Sequence, residues 1–353
     1  MLGAETNAVR VSSAAPPVIS DGETFWRTVV EPVEPFLDRV GSRLSEQVET
    51  FDPEVAVYAR YALGSQGKQL RPALLGLSAG IFGRLEEPAV TAAVIIEMIH
   101  LATLVHDDIM DEASLRRSRP TLAANWGNEI SVLLGDCLFA HALKLASGFP
   151  TTEVCRAVSA ATKTVCSGEI LQTLRRHQKN FTRGEYFRIL QMKTAELFAL
   201  SCDLGAWLGL AGDEEREALR RFGLDLGIAY QVYDDCLDLF GTELAAGKSL
   251  GTDLAGGKVT LPILVLLERA PAPAAQRLRR WLEHWDDRHA AELQDLLWRH
   301  DALGEAQAVV HRFLDSACGN LDRLPPCTNR EALADLAQFL AQQTALLGAQ
   351  ESP

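Results

Sequence analysis

Apolar residues recur at spacings of three and four along almost the entire chain, which is the periodicity of helices with a buried side. Strict alternation of apolar and polar residues, the pattern of a half-buried strand, is nearly absent. No Gly/Ser-rich linker divides the chain, and no repeat with a period of roughly 20–50 residues occurs. We therefore predict an all-α fold with one large domain at residues 23–350, preceded by a flexible extension at residues 1–22. The predicted helices are Val55–Leu63, Pro72–Phe82, Val90–Met110, Val132–Leu145, Val154–Leu174, Tyr186–Leu210, Glu217–Phe240, Ala290–Arg299, Glu305–Leu321 and Arg330–Leu347.

The central helices are apolar on nearly every side, so they must be buried in a large bundle or line an apolar cavity. Proline is favoured in the first turn of a helix, so Pro88 is predicted to begin one, and Asp213 is predicted to cap another. The longest apolar stretch, Ala89–Val105, contains Glu97 and His100 and is shorter than the roughly 20 residues that a membrane span requires. We therefore predict no membrane span.

Charge and cysteine usage narrow the function classes. The chain has 34 Lys and Arg against 47 Asp and Glu, a net charge of −13, which argues against nucleic acid or an anionic membrane as a partner. Its seven cysteines form no CxxC pair and mostly lie in apolar stretches, as reduced thiols of a cytoplasmic protein would. The first twenty residues lack the basic and apolar regions of a signal peptide. We expect a soluble cytoplasmic protein.

Two aspartate clusters of the form DDxxD each end a long apolar helix: Asp107, Asp108 and Asp111, and Asp234, Asp235 and Asp238. Residues four apart share a helix face, so each cluster directs like charges at one place, which is unfavourable without a compensating cation. Carboxylate oxygens suit a hard ion such as Mg²⁺. Solvated helix ends are the alternative, and they explain one such cluster better than two.

Basic residues occur in matching groups. A glycine-containing loop with Lys68 and Arg71 leads into a helix, and such a loop can bind phosphate through backbone N–H groups and cations. Further cations are Arg116 and Arg117 after the first aspartate cluster, Lys193 beside Thr194, and Lys248 and Lys258 flanking a glycine-rich loop. That loop is not a Walker A motif, because valine follows its second lysine. The pattern indicates metal ions and cations around a diphosphate, without an activated side-chain nucleophile.

The ordered motifs resemble those of the trans-isoprenyl diphosphate synthases, medium- or long-chain type. They are GKxxRP (67–72), EMIHLATLVHDD (97–108), SGEILQ (167–172), KTA (193–195), YQVYDDCLD (230–238) and GKSLGTDLAGGKVTLP (247–262), and the resemblance is strong from about residue 35 to 270. It implies an isoprenoid synthase fold, a large helical bundle around a central cavity, in a protein that is usually a homodimer. The implied reaction is the Mg²⁺-dependent head-to-tail condensation of isopentenyl diphosphate with an allylic diphosphate such as farnesyl or geranylgeranyl diphosphate.

The same resemblance implies roles for individual residues. Asp107, Asp108, Asp111, Asp234, Asp235 and Asp238 would hold three Mg²⁺ ions with the allylic diphosphate. Arg116, Lys193, Lys248 and Lys258 would bind that diphosphate, and Lys68, Arg71, His100 and Arg117 would bind isopentenyl diphosphate. Thr194 and Gln231 would offer oxygens to the developing carbocation. His106 and Cys236 are expected to be bystanders.

The product is predicted to be longer than C20. The family's short-chain members carry large aromatics one turn before the first aspartate cluster, where this chain has Ala102 and Thr103. An Ala102→Phe substitution is therefore expected to shorten the product. The next obstacles would be Met98 and Ile99, or Leu171 and Leu174 on a facing helix; alternatively, the small residues only permit helix packing.

Three other interpretations remain. A class I terpene cyclase usually has a different second metal motif and binds no isopentenyl diphosphate. A regulatory subunit typically lacks the aspartate clusters, and both are present here. A catalytic subunit that needs a second protein for full activity also fits the sequence.

Overall fold

The chain folds into a bundle of helices whose only strands, within the described residues, form one short hairpin. The structure, a computed structural model, describes residues 22–64, 67–116, 119–176, 178, 180–241 and 251–348. The first helices are α1 (Gly22–Val30), α2 (Glu34–Val48), α3 (Pro53–Leu63), α4 (Leu70–Gly80), α5 (Glu87–Met110), α6 (Leu122–Trp126), α7 (Asn128–Ser147), α8 (Glu153–Arg175) and α9 (Arg183–Leu190). The remaining helices are α10 (Glu196–Leu208), α11 (Asp213–Phe240), α12 (Thr252–Ala255), α13 (Leu261–Arg269), α14 (Ala272–Glu283), α15 (Ala290–Arg299), α16 (Ala302–Leu321) and α17 (Thr328–Leu346).

The shorter elements complete the description. Short 3₁₀ turns cover Glu31–Val33 and Asp287–His289, and a π-helical segment, Gln191–Ala195, joins α9 to α10. Strands β1 (Leu115–Arg116) and β2 (Arg119–Pro120) pair antiparallel just beyond the first aspartate cluster.

Helix α10 lies at the centre of the bundle. It packs against α11, α4, α5 and α8, so it lies between the two helices that end in aspartate clusters. Helix α11 also packs along α16, and α5 packs along α7. One apolar core cluster includes residues from Phe25 in α1 to Leu347 after α17. The aspartate-bearing ends of α5 and α11 are therefore positioned by long helices that share this core.

The sequence predicts the all-α fold and most helix positions correctly. Pro88 lies in the first turn of α5, as predicted. The predicted cap at Asp213 is wrong: the N-cap of α11 is Gly212, whose N–H donates to Glu215 Oε2 at 2.6 Å, and Asp213 is already helical. The periodicity does not single out α1, α2, α13 or α14. The extension predicted at residues 1–22 lies outside the described residues except for its last one.

Two described helices, α5 and α7, are long and apolar enough to span a membrane by length and composition alone. The expectation that the longest apolar stretch is too short is therefore wrong on that measure. The protein itself buries 78% of the apolar window of α5, as is typical of a core helix, but only 39% of that of α7. Helix α7 leaves Val132, Leu133 and Leu143 exposed.

Candidate active site

A π-helical turn interrupts the helix that carries Lys193 and Thr194. The sequence predicts an unbroken helix over 186–210, but residues 191–195 are π-helical. Turns of π-helix are rare in proteins as a whole, and those that occur are often at functional sites. Helix α8 lies against this turn at Gly168, where a Cβ would come within 2.8 Å of Lys193 N and 2.9 Å of Met192 Cβ. A glycine at this position therefore lets α8 approach the backbone that presents Lys193 and Thr194.

The outer aspartates of the first cluster lie among cations. Asp111 accepts a 2.9 Å hydrogen bond from Lys258 Nζ and a 2.6 Å hydrogen bond from Arg176 Nη2. Burial acts to raise the pKa of Asp111, but Lys258, Lys193 and Arg176 together outweigh it and hold that pKa below its usual value. Asp107 Oδ2 lies 3.7 Å from Lys193 Nζ. Its Oδ1 is buried and has no hydrogen-bond partner among the described residues, so it is available to a ligand.

The middle aspartate of the first cluster faces the short hairpin. Asp108 is only 6% exposed, and its Oδ1 accepts a 2.8 Å hydrogen bond from Arg116 Nε. Burial raises the pKa of Asp108 even though Arg116 opposes this effect. Asp108 therefore binds Arg116, which the resemblance assigns to the allylic diphosphate.

The second cluster is largely buried, and both Asp235 and Asp238 accept hydrogen bonds from protein groups. Asp235 accepts hydrogen bonds from Tyr186 Oη at 2.6 Å and from Gln231 Nε2 at 3.0 Å. Burial raises the pKa of Asp235, and the hydrogen bonds from Tyr186 and Gln231 oppose this effect. Asp238 is 1% exposed, and its carboxylate accepts from the N–H of Asp253 at 3.2 Å. Asp234 is half-buried.

Lys258 connects the second cluster to the first. Its Nζ lies 2.9 Å from Asp111 Oδ2 and 3.4 Å from Asp253 Oδ1. Asp253 is the residue whose backbone binds Asp238, so a short path of contacts runs from α11 to the end of α5. Burial acts to lower the pKa of Lys258, but Asp253 and Asp111 outweigh it and raise that pKa. The structure thus brings this predicted cation onto the first aspartate cluster.

Lys193 has two partners that the sequence does not identify as site residues. Its Nζ donates to Glu169 Oε2 at 2.9 Å and to Gln172 Oε1 at 2.8 Å, both on α8. Burial and the charge of Asp107 raise the pKa of Glu169 to about 7, while Lys193 acts in the opposite direction. The motif SGEILQ contains both partners, so the sequence carries a signal for them without indicating a role for either residue. Arg176, which follows α8, is likewise not identified by the sequence.

Replacing Glu169 with glutamine is expected to stabilise the metal-free protein, and only at higher pH. The pKa of Glu169 is raised from 4.5 to about 7, so the folded state binds its proton more tightly than the unfolded state does. Wild-type stability should therefore fall between about pH 4.5 and 7 relative to Glu169→Gln, and the difference should be constant above pH 7. At pH 7 and above, the melting temperature of Glu169→Gln should exceed that of wild type by a few degrees.

The matched control for this measurement is Glu49→Gln. Glu49 is an exposed carboxylate paired with Arg60, whose hydrogen bond lowers the pKa of Glu49. Glu49→Gln should show no increase in stability over wild type as the pH rises. A constant difference in stability between wild type and Glu169→Gln from pH 4.5 to 8 would contradict the raised pKa of Glu169.

The residues predicted to bind isopentenyl diphosphate lie on α4, α5 and the loop before α4. Lys68 is exposed in that loop, where Gln69 adopts a left-handed conformation with φ of 50°. The Arg71 guanidinium lies 5.0 Å from the centroid of the Phe198 ring, and its Nε has no hydrogen-bond partner in the described part of the chain. His100 is half-buried on α5, and its carbonyl accepts from Thr103 Oγ1 at 2.7 Å. Arg117 and Lys248 lie outside the described residues.

The neighbours of the aspartates turn away from the site. His106 Nε2 lies 3.1 Å from the carbonyl oxygen of Val132, on α7. Cys236 is fully buried in the main core. That neither residue takes part in the chemistry stays a prediction.

The site fits a cation that completes its coordination with substrate. Within the described ranges no group of three or more His, Cys, Asp or Glu side chains forms a ready-made metal site. Mg²⁺ is usually held by one or two carboxylates, several waters and substrate phosphates, so a preformed cage is not required. The unpaired buried Oδ1 of Asp107 is the kind of hard oxygen ligand that this ion prefers.

Comparison with known proteins shows the family to which this chain is similar. A family model described as polyprenyl synthetase matches residues 52–298. The chain is 32% identical over 348 residues to heptaprenyl diphosphate synthase component 2 of Bacillus subtilis, covering 96% of this chain and 99% of that protein. It is 33% identical over 307 residues to octaprenyl diphosphate synthase of Escherichia coli, covering 86% and 94%. Among solved structures, a polyprenyl synthase from Caulobacter crescentus complexed with calcium and isoprenyl diphosphate superposes with a TM-score of 0.85 at 31% identity, covering 90% and 97%.

The fold and these comparisons define an all-α prenyltransferase with the isoprenoid synthase fold. The chain belongs to the polyprenyl synthetase family, the trans-isoprenyl diphosphate synthases. The resemblance read from the ordered motifs is therefore confirmed.

Proposed function

We propose that this chain is a polyprenyl diphosphate synthase that condenses isopentenyl diphosphate with an allylic diphosphate to a product longer than C20. The observation that carries this proposal is the convergence of Lys193 and Lys258 on Asp107 and Asp111. Carboxylates and cations around one space can bind a diphosphate with its metal ions and stabilise charge that develops on it. The relatives named for heptaprenyl and octaprenyl products support the chain length.

We propose Mg²⁺ as the cofactor, held by Asp107, Asp111 and Asp234. Asp108, Asp235 and Asp238 are more deeply buried, and Asp111 would give up its contacts with Lys258 and Arg176 to bind the ion. The Caulobacter enzyme is complexed with calcium and isoprenyl diphosphate, which supports a divalent cation in this family. Bound Mg²⁺ would neutralise negative charge on the leaving diphosphate. Lys193 and Lys258 would then move from the carboxylates to diphosphate oxygens, and Thr194 and Gln231 would face the allylic carbon. Lys68, Arg71 and His100 would hold isopentenyl diphosphate.

We propose that the open space for the growing chain begins at Thr103. This residue is half-buried and lies one turn before Asp107 on the same face of α5. Ala102, by contrast, is fully buried in a second apolar cluster that contains Leu134 and Leu138 of α7. An Ala102→Phe substitution would overpack this cluster, so a shorter product from that variant could result from damage to the fold. Thr103 is therefore the better position to test.

Thr103→Phe is expected to shorten the main product to C20 or less, because an aromatic ring would fill the space beside α5. Chromatography of dephosphorylated products from labelled isopentenyl diphosphate measures this length. Thr91→Phe is the control, since Thr91, like Thr103, donates to a backbone carbonyl of the preceding turn but lies near the other end of α5. An unchanged product from Thr103→Phe would mean that another residue limits the length of the product.

We propose that the protein is a cytoplasmic homodimer that pairs through the exposed apolar face of α7. The face contains Val132, Leu133, Cys137 and Leu143, and an apolar surface of this kind is typical of a protein–protein contact. The Bacillus relative is named as a component 2, so a second subunit is the alternative. Size-exclusion chromatography with light scattering, together with activity of the purified chain alone, separates the two.

The decisive experiment for the proposed function is a product-length assay. Purified protein is incubated with Mg²⁺, radiolabelled isopentenyl diphosphate and farnesyl diphosphate, and the dephosphorylated products are separated. Polyprenols longer than C20 are expected. Products that stop at C20 would retain the reaction and refute the chain length, and no incorporation by the folded protein would refute the proposal that this chain catalyses the condensation on its own.

A further inference from the structure

A buried chain of hydrogen bonds connects Tyr186 to Thr194. Tyr186 Oη donates to Asp235 Oδ2 at 2.6 Å, and Gln231 Nε2 donates to Asp235 Oδ1 at 3.0 Å. Thr194 Oγ1 donates to Gln231 Oε1 at 2.8 Å. Tyr186, Asp235 and Thr194 are 3%, 5% and 7% exposed and Gln231 is half-buried, so these hydrogen bonds are largely shielded from water. The chain joins α9, α11 and the π-helical segment.

The donors in this chain all point toward Asp235. Asp235 accepts from both Tyr186 and Gln231, so Gln231 turns its amide nitrogen, the donor end of the side chain, toward it. The amide oxygen of Gln231 then faces Thr194 and takes the proton of the Thr194 hydroxyl. Thr194 Oγ1 therefore keeps its lone pairs for a group outside the chain, and a hydroxyl in this state can stabilise positive charge.

We propose that Tyr186 is a positioning residue for prenyl transfer, which fixes Asp235 and Gln231 so that the lone pairs of Thr194 face the developing allylic cation. This inference rests on the proposed function and deepens it. Tyr186 itself lies on α9 and acts through Asp235. Without its hydroxyl, Asp235 Oδ2 loses its donor, the carboxylate can rotate, and Gln231 loses the acceptor that sets its orientation.

The alternative is that Tyr186 only stabilises the fold by satisfying a buried carboxylate. The two roles give different kinetics, because a purely structural residue would change stability but would not be coupled to Thr194. A double-mutant cycle measures this coupling directly. Tyr186→Phe and Thr194→Val each remove one hydroxyl and keep the size of the side chain.

The experiment measures kcat and both KM values for wild type, Tyr186→Phe, Thr194→Val and the double variant, using farnesyl diphosphate and labelled isopentenyl diphosphate. Tyr186→Phe is expected to lower kcat roughly tenfold with both KM values changed less than about threefold, as for an interaction made in the transition state. The double variant should be no slower than Thr194→Val alone. Ser316→Ala is the control, because it removes a 2.7 Å hydroxyl hydrogen bond to Asp225 on the same helix as Asp235 and should leave kcat unchanged.

Two results would overturn the inference: a full wild-type kcat in Tyr186→Phe, even with a lower melting temperature, or losses that multiply in the double variant. If Tyr186→Phe does not fold, Gln231→Met breaks the same chain, and Thr194→Val in that background should then cost little further activity. No incorporation by the wild-type chain would overturn the proposed function together with this inference. An active wild type with a fully active Tyr186→Phe would overturn this inference alone.

Discussion

Replacing Asp107 with asparagine should reduce kcat on the order of 10³-fold without lowering the melting temperature. Asp107 Oδ1 is a buried carboxylate oxygen with no hydrogen-bond partner among the described residues, and Oδ2 makes only a long ion pair of 3.7 Å with Lys193 Nζ, so the charge of Asp107 contributes little to the fold. Asparagine keeps the shape and removes one of several negative charges, which include Asp111 and Glu169. Stability should therefore hold or rise while catalysis is lost. Steady-state kinetics with labelled isopentenyl diphosphate and a thermal melt measure both.

The control for this prediction is Asp295→Asn. Asp295 forms an exposed ion pair with Arg299 on α15, and its removal should change neither activity nor, by more than a few tenths of a kcal/mol, stability. Retention of most of the activity by Asp107→Asn would contradict the assignment of Asp107 to the metal and diphosphate site.

Lys193→Met is expected to lower kcat/KM for the allylic diphosphate by about 10²–10³-fold, because it removes a preorganised cation. The KM for isopentenyl diphosphate should change much less, since the residues proposed to bind that substrate lie on α4, α5 and the preceding loop. Stability should fall as well, because Glu169 loses its ion-pair partner and its charge stays largely buried. Initial rates at varied concentrations of each substrate separate the two KM values.

Lys163→Met on α8 is the matched substitution, since Lys163 is exposed on the same helix that carries Glu169. Its kinetics should equal those of wild type. An equal loss of affinity for both substrates in Lys193→Met would mean that Lys193 supports the whole cavity and not the allylic site.

The fold and the principal charges follow from the sequence because both depend on local pattern. Long apolar helices, each ending in DDxxD, predict a bundle with two carboxylate clusters, and that prediction holds. The pairing of Lys258 with Asp111 could not be predicted, because the two residues meet only through tertiary folding. The division of each cluster into deeply buried and more accessible aspartates also depends on tertiary packing against partners such as Tyr186 and Arg116. Those partners are distant in sequence or give no periodic signal.

Of the features of the site, the π-helical segment at 191–195 is the one that the sequence indicates least. Lys193 and Thr194 fit an α-helical pattern as well as they fit the observed one, and the cue lies on another helix, at Gly168. A local pattern cannot report a constraint that a neighbouring backbone imposes. The same limit explains why Ala102 and Thr103, adjacent in sequence, have such different surroundings.

Because of the π-helical turn, the site depends on how many residues this segment contains as well as on which residues they are. Each residue rotates a regular helix by about 100°, so one residue more or fewer before Lys193 would turn its side chain toward a different neighbour. A chain shortened by one residue here would form a more regular helix and yet present other side chains to the aspartates. Insertions and deletions should therefore be far less tolerated in this stretch than substitutions on its outer face. The length of the polypeptide between α9 and α10 is in this sense part of the catalytic apparatus.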